Sequence, residues 1–253
     1  MKRISIKKIW DLALEKNPFR QNSFKKAIID REAIGQLFLH GQGIEIGALN
    51  APLNIPEGLS VQYVDKFTLA ELAQKYPEVS PSSLKKVDVI SDGETLDPFL
   101  PHTLDFVIAN HFLEHCQDPI SAIKNMIRVL KSEGILFLTI PDKRFTFDCK
   151  RSVTPLAHLV QDHQEGPAKS KLDHLLDWAR LVDNKDEATA RDHVQLLLKT
   201  DYSIHYHVWT QVELLELIWF LKTNLGLLLE LELFYKNGIE VIIVLRKMER
   251  NGQ

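Results

Sequence analysis

The sequence predicts an α/β fold: a Rossmann-like, doubly wound, mostly parallel sheet with an antiparallel C-terminal hairpin and an insertion after the fifth strand. Three observations predict it. Short apolar runs alternate with helical segments between residues 43 and 140, as strands joined by crossover helices do. Two later apolar runs are separated only by Lys236-Asn237-Gly238, so they must pair antiparallel. Residues 142–208 are too long for a plain connection.

The elements follow in order. Residues 1–40 read as an N-terminal helical extension, a polar start followed by an amphipathic helix from about Ser23 to Leu39. Its apolar stripe is Ile28, Ile29, Ile34, Leu37 and Phe38, which recur at helical spacing. The first strand is Gly43–Gly47, the second Val61–Val64, the third Val87–Ser91, the fourth Leu104–Asn110 and the fifth Ile135–Ile140. A helix from Pro119 to about Leu130 lies between the last two, with proline in its first turn and Gly134 beyond its end, as helix termini prefer. Residues 142–208 form the insertion, expected to act as a substrate-binding lid. A helix over Thr210–Thr223 then leads to strands at Leu227–Phe234 and Ile239–Leu245.

Composition narrows the function class. The chain of 253 residues is long enough for a single domain spanning 1–253. Its net charge of -3 offers no basic field for nucleic acid. Cys116 and Cys149, the only cysteines, form no CxxC pattern, which fits a reducing, cytoplasmic setting. The N-terminal ten residues lack the apolar run of a signal peptide. The greasiest stretch, Val212 to Leu233, is broken by charges including Glu213, Glu216, Lys222 and Glu230, so no transmembrane segment is expected. The oligomeric state is left open.

In a doubly wound sheet, ligands bind at the carboxyl ends of the strands, where strand order reverses. Those ends carry Gly47, Asp65, Asp92-Gly93-Glu94 and Asn110-His111. A glycine lets the backbone approach a ligand closely. An acid about twenty residues after Glu45, here Asp65, suits ribose hydroxyls. Gly41, Gly43 and Gly47 do not form G-x-G-x-x-G, so the pyrophosphate cradle of nicotinamide enzymes is missing.

The segments GIEIGALNAPL, VQYVDKF, DVISDGETL, DFVIANHFLEHCQDP and GILFLTIPDKRFTFD, in this order, resemble the successive motifs of class I S-adenosylmethionine-dependent methyltransferases. They are especially similar to bacterial methyltransferases found beside glycosyltransferases in surface-polysaccharide gene sets. The resemblance implies S-adenosylmethionine as cofactor. By that likeness Glu45, Gly47, Ala48 and Leu49 lie along the methionine moiety, Asp65 at the ribose, Asp92, Gly93 and Glu94 at the adenine, and Asn110 and His111 on the sulfonium side. Ala48 and Asn50 depart from it, standing where many members have glycine. His111-Phe-Leu-Glu114-His115 also fits the zinc-peptidase pattern H-x-x-E-H, but His111 follows directly on a strand rather than lying in a helix, and no metal site is expected.

The insertion holds the candidates for acceptor chemistry. Methylating a hydroxyl needs an oxygen placed in line with the sulfonium methyl and a base for its proton, a role that suits histidine. His115, His205 and His207 are the catalytic candidates. Alternate residues of an extended segment point the same way, so His205 and His207 are expected to share one pocket, with Trp209 as an apolar wall. Asp148, Arg151, His174 and Trp209 are the candidate acceptor ligands. The expected acceptor is a sugar or other small hydroxylated molecule. Two other readings remain: a non-catalytic S-adenosylmethionine-binding scaffold, and a nucleotide-cofactor enzyme on a related sheet.

Overall fold

The computed structural model describes residues 29–249. Within them runs a seven-stranded sheet of order β3-β2-β1-β4-β5-β7-β6. Its strands are β1 (Gln42–Ile46), β2 (Ser60–Asp65), β3 (Val89–Ile90), β4 (Leu104–Asn110), β5 (Leu130–Pro141), β6 (Leu229–Asn237) and β7 (Glu240–Lys247). The pairings from β3 to β5 are parallel. Those from β5 through β7 to β6 are antiparallel. This is the expected Rossmann-like fold, and strand order reverses between β1 and β4, which opens a crevice there.

The strands read as unbroken apolar runs because both sheet faces are covered. Along β4, Val107 and Ala109 face one core while Phe106 and Ile108 face the other. Leu136 and Leu138 against Ile135 and Phe137 repeat the split on β5, and Ile243 against Ile242 on β7. The period of two has sorted hydrophobes onto two faces rather than into water and core.

Helix α1 (Arg31–Phe38) begins at Arg31, where the extended Asp30 caps it by accepting the Ala33 amide, so Ile29 lies ahead of the helix rather than in its apolar stripe. The expected start at Ser23, with Ile28, lies outside the described residues. Helix α2 (Leu69–Lys75) follows β2 and opens with a Thr68–Glu71 capping box. Helix α3 (Pro119–Val129) starts at Pro119, with Asp118 accepting the Ser121 amide proton. The third strand shrinks to two residues at the sheet edge, and β5 begins five residues before expectation. The hairpin turn is Gly238-Ile239, not Asn237-Gly238: Asn237 still pairs with Glu240, and Gly238 takes the positive φ of 61°.

Between β5 and the last helix lie α4 (Leu156–Glu165), α5 (Lys171–Leu181) and α6 (Glu187–Lys199). Leu175, Trp178, Ala190, Val194 and Ile204 form their own small core. The chain returns at Trp209, which bridges to Asp142, and continues as α7 (Gln211–Thr223). No helix among the described residues is long and apolar enough to cross a membrane.

Candidate functional site

A cleft of about 1170 Å³ opens at the carboxyl ends of the parallel strands. This exceeds the range of roughly 300–1000 Å³ common for small-ligand pockets, so it has room for two ligands side by side. One wall is the sheet edge and its loops; the other is the insertion.

The first loop turns out of β1 at Gly47, whose φ of 67° is left-handed. A Cβ there would meet only Phe112, at 3.7 Å, so it is backbone conformation that demands glycine. Ala48 sits one residue further without needing positive φ, and the next left-handed residue is Leu49 at 48°. The Ala48 carbonyl accepts the Ala51 amide and closes the loop. The departure from glycine at Ala48 and Asn50 therefore leaves the turn intact.

Glu45 is fully buried beneath this loop. Its carboxylate accepts the Leu53 amide at 2.9 Å and the Asn110 side-chain amide at 3.3 Å, and Asn110 in turn accepts from Thr139. The ends of β1, β4 and β5 are thus tied together. Burial pushes Glu45 up to about 7, against the pull of those hydrogen bonds.

Asp65 closes β2 and lines the cleft, with Oδ1 accepting the Phe67 amide. Burial raises it above the usual carboxylate range. Asp92 turns its carboxylate onto the Glu94 amide, shaping the turn after β3. Gly93 has no space for a side chain: a Cβ would fall 2.5 Å from Ile46 and 2.6 Å from Phe112. Glu94 lines the cleft, but its two oxygens hold the Gln117 and Asp118 amides ahead of α3. His111 has a left-handed φ of 48°. Its Nε2 lies 2.6 Å from Glu240, which Arg31 approaches from outside at 3.4 Å.

The opposite wall carries the polar pair that most resembles catalytic machinery. His205 lines the cleft and is itself buried. Its Nδ1 lies 2.7 Å from Asp148 Oδ2, which leaves Nε2 for the cleft side, 4.0 Å from Glu114. Burial alone would raise Asp148, but His205 and Arg151 hold its carboxyl below the usual range. Phe147 and Trp178 pack on the His205 ring at 4.8 and 5.8 Å.

Glu114 is the residue that sequence reasoning passed over. It is buried and lines the cleft, yet neither carboxylate oxygen has a hydrogen-bond partner. Burial pushes it up to about 7. An unsatisfied buried carboxyl at a cleft is a ready partner for a ligand hydroxyl. Its only signal in the sequence was its place in H-x-x-E-H, whose histidines engage Glu240 on one side and the Ser203 hydroxyl and Ile204 carbonyl on the other. Trp178 and Tyr206, also on this wall, carried no signal beyond aromatic character.

Several expected residues lie elsewhere. His115 lines the cleft, but its Nδ1 is engaged by Ser203 Oγ and the Ile204 carbonyl, each at 2.9 Å. Burial and the neighbouring His205 push its ring down to about 3, so at neutral pH it stays uncharged and pins the segment that carries His205. His207 does not share a pocket with His205. The Tyr206 and His207 amides both point at the Glu114 carbonyl, so the backbone turns there and strand-like alternation fails. His207 is fully buried, packed with His158 and His174. His174 belongs to that second cluster and not to the cleft.

Asp148 and Arg151 are also behind the wall rather than on it. Arg151 is buried, donating to Asp148, to Asp177 and to the carbonyls of His205 and Tyr206. Four of its five N–H donors are taken and the side chain is buried away from the cleft, so it holds Asp148 against His205 rather than binding an acceptor. Trp209 is fully buried and stacks on His207 with ring centroids 5.8 Å apart. It is a core residue, and Trp178 takes the wall position expected of it.

Residues 56–138 match the sequence profile of the methyltransferase domain family. That stretch runs from just before β2 into β5 and supplies the Asp65, Asp92–Glu94 and Asn110–Gln117 edges of the cleft. None of the curated proteins compared matches the chain. Among solved structures, a Methanosarcina mazei S-adenosylmethionine-dependent methyltransferase is 17% identical, covering 88% of this chain and 100% of its own, with a TM-score of 0.48. A Thermotoga maritima methyltransferase described as a possible histamine N-methyltransferase is 17% identical, covering 83% and 84%, at 0.44. A Rhodobacter sphaeroides structure, described provisionally as a Zn-dependent alcohol dehydrogenase, is 14% identical, covering 87% and 90%, at 0.50. Only the last, at 0.50, speaks for the fold, and for the fold alone.

Proposed function

We propose that the chain is an S-adenosylmethionine-dependent methyltransferase acting on a hydroxyl of a glycan or another small hydroxylated acceptor. One observation carries this reading: a single cleft joins the strand-end acids and Gly47 on one wall to a histidine oriented by a buried aspartate on the other.

The residues fit the cofactor. Asp65 accepts from ribose hydroxyls, and the Asp92–Gly93 turn presents backbone to the adenine. The Gly47–Leu49 loop, braced from below by Glu45, follows the methionine moiety. When bound, the cofactor supplies an electrophilic methyl group on its sulfonium. His205 then works as the base. Asp148 would hold the proton on Nδ1 and leave the Nε2 lone pair to receive the acceptor's hydroxyl proton. Glu114 accepts a second hydroxyl of the acceptor, and Phe147, Trp178 and Tyr206 offer faces on which a sugar ring can stack. Much of the acceleration in such a transfer comes from orientation, which a rigid Arg151–Asp148–His205 chain serves. The likeness of the strand-end motifs to methyltransferases of polysaccharide gene sets favours a cell-envelope glycan as the acceptor.

The test is calorimetric titration with S-adenosylmethionine, S-adenosylhomocysteine and NAD, repeated on Asp65→Ala. The first two should bind and NAD should not. Asp65→Ala should weaken binding by about tenfold or more, one or two hydrogen bonds to a carboxylate being worth roughly 1.5–3 kcal/mol each. Binding of NAD alone would favour a nucleotide-cofactor enzyme. Transfer of radiolabelled methyl to envelope glycans separates an enzyme from a scaffold.

A further inference from the structure

Behind the insertion wall, away from the cleft, His158 and Asp162 of α4, His174 of α5 and His207 bring one ligand atom each to within 4.8 Å of one another. His158 Nε2 is 3.0 Å from His174 Nε2 and 3.2 Å from Asp162 Oδ2. The same oxygen is 3.8 Å from His174 Nε2 and 4.0 Å from His207 Nε2. It is buried and accepts no hydrogen bond, and His207 Nδ1 is also buried without a partner.

We propose that these four side chains form a zinc site, closed by protein ligands on all sides, that staples α4, α5 and the 204–209 segment together. Four nitrogen and oxygen ligands about 2.0–2.1 Å from a tetrahedral zinc stand about 3.3 Å from one another. The separations here bracket that value. Without a cation the facing Nε2 atoms of His158 and His174 can share one proton, while Asp162 Oδ2 and His207 Nδ1 stay without a hydrogen-bond partner among the described residues. A divalent cation satisfies all four at once. Imidazole with one carboxylate is the donor set of zinc rather than of magnesium or calcium. The neutral imidazole ring is the metal-binding form of histidine.

The sequence expectation of no metal rested on the H-x-x-E-H segment of His111 and His115, away from the residues named here. The ligands proposed here are spaced 158, 162, 174 and 207, and no short pattern joins them. The proposal does not depend on what the cleft binds. Its consequence is that the metal locks the chain two residues after His205, and so fixes the wall that presents it.

Metal analysis of the intact chain, purified without chelator or a histidine tag, should find about one zinc per molecule. After removal with a chelator, Co²⁺ should restore the intense visible absorption of a four-coordinate site, and Zn²⁺ should displace it. The double variant His158→Gln/His174→Gln should lose this binding by about a hundredfold or more, with an unchanged far-ultraviolet circular dichroism spectrum. His193→Gln, a histidine that pairs with Asp183 outside the cluster, should keep it. Asp162→Asn gives an independent second variant in case the double one misfolds. The proposal is overturned if the wild-type chain shows no stoichiometric zinc and no four-coordinate Co²⁺ spectrum, or if the double variant binds zinc like wild type.

Discussion

At the scale of single residues, Asp148 and His205 show how a buried charge becomes useful. Asp148 alone would be costly to bury, but paired with Arg151 and His205 it stays ionised. Asp148→Asn removes the acceptor that keeps the proton on His205 Nδ1, so the ring can present the wrong tautomer to the cleft. Methyl transfer should fall about 10²-fold or more, the usual worth of a positioned base, with S-adenosylmethionine affinity unchanged. His205→Ala should cost a similar factor, and the double variant little more. A loss of cofactor affinity equal to the loss of rate would mean that the pair is structural. Glu45 makes a second case. Its folded-state carboxyl lies at about 7 against an ordinary 4.5, so between those values the native chain holds more protons than the unfolded one. Stability from this group is present below pH 4.5 and is lost as pH rises through 7. Glu45→Gln keeps an acceptor oxygen for Leu53 and carries no charge. Thermal unfolding should therefore show the variant gaining on wild type from pH 5 to pH 8; an offset independent of pH would refute this.

At the scale of elements, the joints matter more than the spans. Helix α7 begins directly after Trp209, where the insertion returns to the sheet, and Thr210 and Glu213 satisfy each other's backbone amides in a capping box. Thr210→Ala should lower the unfolding free energy by about 1 kcal/mol, as loss of a helix cap does, measured as a reduced urea midpoint at unchanged slope. An unchanged midpoint would show that packing of α7 alone sets the joint. The elements most legible in the sequence were those with strong period and clear ends: β4, the centre of β5, α3 with Asp118-Pro119, and α7. Edges were less so. The strand at Val89–Ile90 is short because only β2 pairs with it, and the hairpin turn slid by one residue because Gly238 alone had to take the positive φ. The insertion helices were not read at all, since their hydrophobes serve a small local core and leave polar faces on the remaining turns.

At the scale of the whole molecule, the strand order 3-2-1-4-5-7-6 puts the crevice between β1 and β4, and with it the ends that carry Glu45, Gly47, Asp65, Asp92 and Asn110. The sequence by itself determined the sheet and the order of small and acidic residues at its strand ends, because each strand end is a local event: a hydrophobic run stops and a small or acidic residue follows. It determined also that the segment after β5 had to be something more than a loop. Only the tertiary structure decided which polar residues of that segment and of the loop after β4 face the cleft. His205 and His207 are two residues apart yet belong to different clusters, and Glu114 meets His205 across ninety-one positions of chain. Side-chain direction in an irregular segment follows from which backbone groups it must bond and which cavity is left to fill. Those are long-range facts that no local period carries.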